Sequence, residues 1–447
     1  MKGAIVCGGK GTRMGDISVP KALLKVGEKP LLQHQIEWFE MYGITDIVVL
    51  AGHLSKQIDR FVKSNHYDND IDLQETFPLG TAGALKSAEP MLDDTFVVVY
   101  GDKMHNISLD KMIEYHYSKP SACTIGVHST THMHDSDIID MDDSGRLTEV
   151  YPKPHDETKD YRNLTNISIY ILAPKVFDYI KSGVFSDFAK NILPTLVKKE
   201  RVYGYLTTEY MRDIGTPERL KEVQDDWDSG RITNYRSRRK AIFLDRDGVV
   251  TQRRDGHHGD GWDVRTPDEL ELFPDTISAI KTINKSPYLA IIITNQPGIA
   301  KNFFSMDDLK TINNRIETLL GKGGAKLDAI FTCPHHPDRG YPGENPIYKV
   351  DCDCRKPKPG LVHRAAEQFN IDLSSSYMIG DTWRDIECGK AAGVKTVALL
   401  QGDSEWKDSK PDYTFDNLLN AVTYIIDGGN GCNTNVGAVA INSQRKS

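Results

Sequence analysis

Short apolar runs, each closed by a glycine, a hydroxyl or an acid, alternate along this chain with segments whose apolar positions recur at helical spacing. The runs read as buried strands and the segments between them as helices. Lys2–Val6 is the first strand and leads into Cys7-Gly8-Gly9-Lys10-Gly11-Thr12-Arg13. Pro30 opens a helix in which Leu32, Ile36 and Phe39 share one face, and Gly43 ends it. Strands follow over Asp46–Ala51 and Phe96–Tyr100, with a helix around 56–62 between them, and the later strand runs into Gly101-Asp102. Further on, Ala241–Leu244 ends in Asp245-Arg246-Asp247-Gly248, and Leu289–Ile293 ends in Thr294-Asn295-Gln296. A helix over Met306–Leu320 has Ser305 as its cap, Leu309, Ile312 and Ile316 as its stripe and Gly321 as its stop. Met378-Ile379-Gly380-Asp381 is a last strand closed by an acid, and a helix covers 415–426. Alternation of this kind predicts α/β sheets, mostly parallel, with helices on both faces. Ligands of such sheets sit beyond the C-terminal ends of the strands, where these glycines and acids fall.

At 447 residues the chain has room for two or three domains. The basic stretch 231–240 separates two halves that do not resemble each other, so the expected division is 1–228, a linker over 229–240, a second domain over 241–426 and a disordered tail over 427–447. A net charge of −8 argues against a general binder of nucleic acid or membrane. No apolar run reaches the ~20 residues that span a bilayer, and the opening strand leaves no room for a signal peptide. Seven cysteines, three of them between 333 and 354, suggest metal rather than disulfides, with a cytoplasmic location as the expectation. Composition leaves the oligomeric state open.

Two carboxylates at the end of a strand carry the chemistry of the second half. Asp245 and Asp247 lie two apart, so on extended backbone both face one crevice, and Gly248 lets the chain turn behind them. That pair suits a magnesium ion and a phosphate ester, one acid attacking phosphorus and the other handling the leaving-group proton. Cys333-Pro-His335 and Cys352-Asp-Cys354 form two short-bite pairs that can close a tetrahedron around a structural zinc and pin the loop carrying Arg355 and Lys356.

The order Asp245-x-Asp247, Thr294, Lys356, Gly380-Asp381-x-x-x-Asp385 resembles the haloacid dehalogenase-like phosphatases, a Rossmannoid fold. With the zinc loop, it is close to the heptose bisphosphate 7-phosphatases and, beside them, the histidinol-phosphate phosphatases. The resemblance implies that Asp245 forms an aspartyl-phosphate and that Asp247 is acid and then base. It also implies that Thr294 bonds the phosphoryl oxygens, that Arg355 and Lys356 neutralise charge, and that Asp245, Asp247 (through its carbonyl) and Asp381 hold magnesium. Asp385 is either a support for that site or a helix N-terminal acid. Asn295 and Gln296 are expected as substrate contacts, and Arg253 and Arg254 as a clamp for a second phosphate.

In the first half, Gly8-Gly9-x-Gly11-Thr12-Arg13, Pro20-Lys21, Leu79-Gly80-Thr81-Ala82-Gly83, Gly101-Asp102, Pro152-Lys153-Pro154, Asn166 and Asp213-Ile-Gly-Thr-Pro217 resemble the sugar-phosphate nucleotidyltransferases, a Rossmann-like, GT-A-like sheet. Heptose and mannose 1-phosphate guanylyltransferases are the most similar branch. By that resemblance Gly8, Gly9, Gly11, Thr12, Arg13 and Lys21 hold a nucleoside triphosphate, expected to be GTP. The 79–83 loop, with Gly80 and Thr81, cradles the nucleoside. Asp102 and Asp213 hold magnesium, Lys153 meets the sugar phosphate and Asn166 a sugar hydroxyl. The two halves together imply a bifunctional enzyme that removes the 7-phosphate of heptose 1,7-bisphosphate and couples the product to GMP, giving GDP-heptose. Alternatives are a hexose 1-phosphate nucleotidyltransferase fused to a histidinol-phosphate or generic sugar phosphatase, and a non-catalytic first half that senses nucleotide sugar.

Overall fold

A strand buried on both faces should be apolar at every position, and the first one is. In the computed structural model, which describes residues 1–9, 11–15, 17–65, 70–75, 79–232, 238–253, 264–400 and 408–428, β1 (Lys2–Cys7) lies at the centre of a sheet. Ala4 and Val6 point into one apolar core with Leu85, Leu196 and Phe96. Ile5 and Cys7 point into another with Ile36 and Phe39. This is the period-two alternation of a strand covered on both sides.

The chain divides into two compact units. The second gathers Ser129–Asp135, Asp156–Asn163 and the described residues from Arg238 onward, and the first holds the rest. In the first unit, α1 (Leu31–Met41), β2 (Asp46–Ala51), α2 (Ser55–Ser64), β3 (Asp70–Glu75), α3 (Gly80–Ser87) and β4 (Phe96–Tyr100) complete a parallel β4-β1-β2-β3 core. The other side of β4 differs from the mostly parallel expectation. After β5 (Lys103–Asn106) and β6 (Cys123–Ser129), β7 (Ile138–Met141), β8 (Leu147–Tyr151) and β9 (Leu164–Leu172) add antiparallel pairs in the order β8-β7-β9-β4. β10 (Val202–Leu206) pairs with β6, and β11 (Tyr210–Asp213) forms a separate ribbon with β5. α4 (Pro217–Asp228) follows, capped by Thr216.

The second unit is a six-stranded, all-parallel sheet. Its strands are β12 (Lys240–Leu244), β13 (Tyr288–Asn295), β14 (Ala329–Cys333), β15 (Tyr377–Gly380), β16 (Lys395–Leu399) and β17 (Tyr413–Phe415), in the order β14-β13-β12-β15-β16-β17. Asp245 and Asp381 therefore leave neighbouring strands side by side. Three local expectations change. α5 (Met306–Lys322) passes through Gly321, which lacks the positive φ of a helix-ending glycine, and the small residue leaves room for Met133: a Cβ on it would stand 2.7 Å from the Met133 sulfur. Phe415 belongs to β17, so the last helix, α8, is confined to Leu418–Ile426; α6 (Gly360–Phe369) and α7 (Trp383–Ala392) precede it. The segment 79–83 is mostly the first turn of α3 rather than a loop. Most of the 427–447 tail, and part of the 229–240 linker, lie outside the described residues. Among the described residues no helix is long and apolar enough to cross a membrane.

Candidate active sites at two sheet crests

In the second unit, Asp245 leaves β12 with its amide donating to Ile379 O at 3.0 Å. Its Oδ1 accepts from Lys356 Nζ at 2.7 Å. That lysine, 3% exposed, also meets Asp385 Oδ1 at 2.6 Å and Ile293 O at 2.9 Å. Its backbone is fixed too. Asn295 Nδ2 donates to Lys356 O and Lys356 N donates to Asn295 Oδ1, at 3.1 and 3.0 Å. Asn295, expected to touch substrate, therefore spends its amide on positioning the lysine, although it also lines the cavity. Asp385 is the helix N-terminal acid of α7 and also a partner of Lys356. Its Oδ2 accepts from the amide and hydroxyl of Thr382, closing a capping box at the start of α7, while Oδ1 faces Lys356.

Asp247 is turned into a different network. Arg246, fully buried, donates to both of its carboxylate oxygens at 2.9 Å, and Gln296 Nε2 and Thr251 Oγ1 add bonds of 2.8 and 3.1 Å. Gln296 also donates to Thr294 Oγ1 and accepts from Arg246. Its amide is thus bonded within the protein, and Gln296 is not among the residues lining the cavity. Against the effect of burial, Arg246 and Gln296 hold the Asp247 carboxyl below its usual range. Asp245 is the opposite case: burial pushes it up to about 6, with Lys356 opposing and Asp385 adding to the rise. Burial and Asp245 likewise push Asp381 up to about 8.

A cavity of about 360 Å³ opens over these groups, walled by Asp245, Asp247, Arg253, Asn295, Lys356 and Arg355 together with Lys301, His336 and Arg384. Sequence reasoning missed Arg246, Lys301 and Arg384. A residue between two facing aspartates should point away from them, but the chain turns at Arg246 and folds its guanidinium back onto Asp247. Arg254 lies outside the described residues. Carboxylate oxygens of Asp245, Asp381 and Asp385 lie within 4.8 Å of one another, and Asp381 Oδ1 is buried without a hydrogen-bond partner. An all-oxygen set with an orphaned carboxylate oxygen fits a hard cation such as magnesium. Beside the cavity, Cys333, His335, Cys352 and Cys354 converge. Their sulfur–sulfur separations are 3.2–3.6 Å and His335 Nδ1 is 3.2 Å from Cys354 Sγ. A tetrahedron with zinc–sulfur arms of about 2.3 Å has edges of about 3.8 Å, so the four atoms converge slightly more tightly than bound ligands would, and three sulfurs with one nitrogen suit zinc. His336, the neighbour, faces the cavity instead.

In the first unit, the crests of β1, β2 and β4 bring Gly8, Gly52 and Gly101 together. A Cβ on Gly52 would stand 2.9 Å from Gly8 Cα. A cavity of about 420 Å³ is lined there by Gly8, Gly9, Lys21, Gly80, Thr81, Tyr100 and Asp102, with Phe185 as a wall not foreseen. Lys21 Nζ donates to Asp102 Oδ2 at 2.9 Å. The β5–β11 ribbon sets Asp213 opposite Lys103, next to Asp102. Arg219, also unforeseen, donates to both Asp213 oxygens at 2.9 Å. Opposing burial, Lys103 and Lys21 hold Asp102 below the usual carboxylate range, and Lys103 and Arg219 do the same for Asp213. Both carboxylates are therefore held in the ionised form that a hard cation would require.

Arg13 and Asp213 flank Gly215, on which a Cβ would stand 3.0 Å from Arg13 Nη2 and 2.7 Å from Asp213 Oδ1. Gly11 has φ +67 and Thr12 is exposed. Lys153 is exposed away from the cavity lining. Asn166 donates to Tyr170 OH at 2.7 Å and accepts from Ser168 N at 2.8 Å, so its amide is engaged within the protein rather than facing the cavity. Gly80 has φ +74, and a Cβ there would lie 2.4 Å from Ser186 O. Gly80→Ala is therefore expected to shift the cavity wall and weaken triphosphate binding by roughly tenfold or more, leaving phosphate-ester hydrolysis unchanged; calorimetric titration with GTP and a phosphatase assay check both halves.

Residues 2–229 match the nucleotidyl transferase family, and 353–421 match the HAD-hydrolase-like family. The D-glycero-beta-D-manno-heptose-1,7-bisphosphate 7-phosphatase of Pasteurella multocida is 38% identical over 163 residues, covering 36% of this chain and 82% of its own. Its counterpart in Haemophilus ducreyi is 34% identical over 191 residues, covering 42% and 98%. Among solved structures, HddC from Yersinia pseudotuberculosis complexed with GMP-PN aligns with 25% identity over 51% of this chain and 99% of its own, with a TM-score of 0.43. D,D-heptose 1,7-bisphosphate phosphatase from B. bronchiseptica, complexed with magnesium and phosphate, aligns with 28% identity over 42% and 99%, with a TM-score of 0.36.

Proposed function

The chain belongs to the nucleotidyl transferase family over its first half and to the heptose-1,7-bisphosphate 7-phosphatase family over its second, and from that premise we propose that it performs two consecutive steps on one sugar. The second unit removes the 7-phosphate from D-glycero-D-manno-heptose 1,7-bisphosphate. The first unit then transfers GMP from GTP to the heptose 1-phosphate left behind, giving GDP-heptose and pyrophosphate. The pairing of these two families in one polypeptide carries the reading, because loss of the 7-phosphate leaves the sugar 1-phosphate that a nucleotidyl transferase needs.

The phosphatase step follows from the residues at the second crest. Asp245 attacks the 7-phosphoryl phosphorus, the bond from phosphorus to the sugar oxygen breaks, and that oxygen takes a proton from Asp247. Water then attacks the aspartyl-phosphate, gives a proton to Asp247 and releases inorganic phosphate, restoring Asp245. The ionised Asp247 held by Arg246 and Gln296 is the form that accepts the water proton; serving the sugar oxygen requires its carboxyl to be protonated and to turn from Arg246. Lys356 balances Asp245 and Asp385, and Thr294 and Arg355 meet the transferring group. Magnesium held by Asp245, Asp381 and the Asp247 carbonyl supplies charge neutralisation at the phosphoryl oxygens. Zinc held by Cys333, His335, Cys352 and Cys354 would have four protein ligands and so a structural role.

At the first crest, the sugar 1-phosphate oxygen attacks the α-phosphorus of GTP and pyrophosphate departs. In-line alignment and charge neutralisation do most of this work. Gly8, Gly9, Gly11, Thr12, Arg13 and Lys21 hold the triphosphate, Gly80 and Thr81 the nucleoside and Lys153 the sugar phosphate, and Asp102 and Asp213 would hold magnesium; Asn166 would have to release Tyr170 or Ser168 to meet a sugar hydroxyl. With heptose 1,7-bisphosphate, GTP and magnesium, the full chain should release phosphate and pyrophosphate and form GDP-heptose, read by chromatography. Hydrolysis of simple esters with no turnover of the bisphosphate would overturn the heptose assignment. Faster coupling of mannose 1-phosphate, or of UTP or ATP in place of GTP, would overturn the acceptor or the donor.

A further inference from the structure

We propose that Arg253 is the resident counter-ion of the phosphatase metal seat, occupying it in the metal-free protein and yielding it to magnesium. This rests on the phosphatase reading above and adds to it a function for one side chain. Arg253 Nη2 lies 2.6 Å from Asp381 Oδ2, and Arg253 Nε donates to the Asp247 carbonyl at 3.3 Å. A side-chain oxygen of Asp381 and the main-chain oxygen of Asp247 are two of the three protein ligands assigned to the ion. One guanidinium thus touches both, from the cavity that the substrate enters. Gly248 permits the approach. It has φ +95, and a Cβ on it would stand 2.0 Å from Asp381 Oδ2 and 2.8 Å from Arg253 Nε.

The charges give the contact its purpose. Asp245, Asp247, Asp381 and Asp385 bring four carboxyl groups, and when all are ionised four negative charges, to one buried crest. Arg246 lies on Asp247, and Lys356 bridges Asp245 and Asp385. With all four ionised, two negative charges remain, shared among Asp245, Asp381 and Asp385. Arg253 offsets one of them; a divalent ion offsets both. A magnesium ion with oxygen ligands at about 2.0–2.1 Å on Asp381 and the Asp247 carbonyl would bring its two positive charges against the guanidinium that bonds the same two groups, so the ion and Arg253 compete for them. The Arg253 side chain is 22% exposed, so it has an outlet into the cavity. Displaced there, it faces the phosphoryl oxygens of the incoming ester, where a guanidinium binds well. Ion entry therefore moves one positive charge from the protein's carboxylates to the substrate's phosphate.

The test titrates magnesium alone, without phosphate or ester, into the full chain by calorimetry. An Asp102→Asn, Asp213→Asn background removes the other magnesium site. Arg253→Met should bind the ion roughly tenfold or more tightly than the parent, since it loses a charge-assisted competitor. Arg253→Lys should fall between the two. With magnesium saturating, Arg253→Met should bind inorganic phosphate more weakly than the parent. Unchanged or weaker magnesium binding by Arg253→Met, in protein with a native circular dichroism spectrum, would overturn the proposal. Unchanged binding would leave Arg253 a phosphate clamp only, and weaker binding would make it a support for Asp381. Adding Asp381→Asn should abolish the titration heat. A persistent heat would overturn the assigned magnesium site itself, a failure distinct from that of Arg253.

Discussion

Asp245→Asn is expected to reduce phosphate release from the bisphosphate by roughly 10⁴- to 10⁶-fold, the scale seen when a nucleophile is removed, while heptose 1-phosphate and GTP still give pyrophosphate at the parent rate. An amide cannot attack phosphorus, yet it nearly preserves the shape of a side chain packed at the end of β12. The Asp245 amide stays bonded to Ile379 O, and Lys356 keeps Asp385 and Ile293 O as partners. The first unit has its own sheet and cores and its own carboxylates, Asp102 and Asp213. Separate assays for phosphate and pyrophosphate on one preparation read both outcomes. Phosphate release at the parent rate would remove Asp245 from the chemistry, and parallel loss of both activities would show that the substitution acts through the fold.

The next largest effect is expected from the cysteine cluster. A chelator strong enough to strip zinc, or Cys354→Ser, should lower the phosphatase rate by about 10- to 100-fold, the range for groups that hold a catalytic residue in place, and should lower the melting temperature of the second unit. Cys354 is two residues before Lys356, and Arg355 between them donates to His335 O at 3.1 Å. The cluster therefore sets the entry of the chain into the site, and Asn295 grips it again from β13. Zinc-ligand sites of this sort draw folding free energy from the metal itself. Metal analysis, differential scanning calorimetry and the phosphate assay together decide it: a chelated protein with unchanged melting and unchanged rate would mean the four side chains hold no structural ion.

The parts of this architecture that the chain announces are those governed by local rules. Asp46–Ala51 and Phe96–Tyr100 form strands over the expected residues, and Ser305 caps α5 with a reciprocal bond from Asp308. Asp102, Asp245 and Asp381 follow strands of the main sheets, whose parallel neighbours bury what precedes them, whereas Asp213 ends a strand of the antiparallel β5–β11 ribbon. Less legible is whatever depends on partners distant along the chain. β9 carries Asn166 and a Ser168 with φ +62 in its middle, which obscures its pattern, yet it pairs antiparallel with β4 across some 70 residues. Gly321 reads as a helix stop but is small for the sake of Met133. Asn295 and Gln296 follow Thr294 as a polar tripeptide, and nothing in their spacing tells that one fastens a lysine and the other an aspartate. Arg246 and Arg219 are likewise visible only as ordinary basic residues until the fold returns them to Asp247 and Asp213.

Asp385 starts α7 by bonding Thr382 and, with its other oxygen, balances Lys356. A residue employed in this way cannot be optimised for either task alone. Selection for a hardier protein has no freedom at this position, since any exchange that improved the helix start would disturb the lysine's charge balance. Heat-tolerant variants of this enzyme will have to be sought elsewhere, and random libraries should recover aspartate here even when screened for folding only.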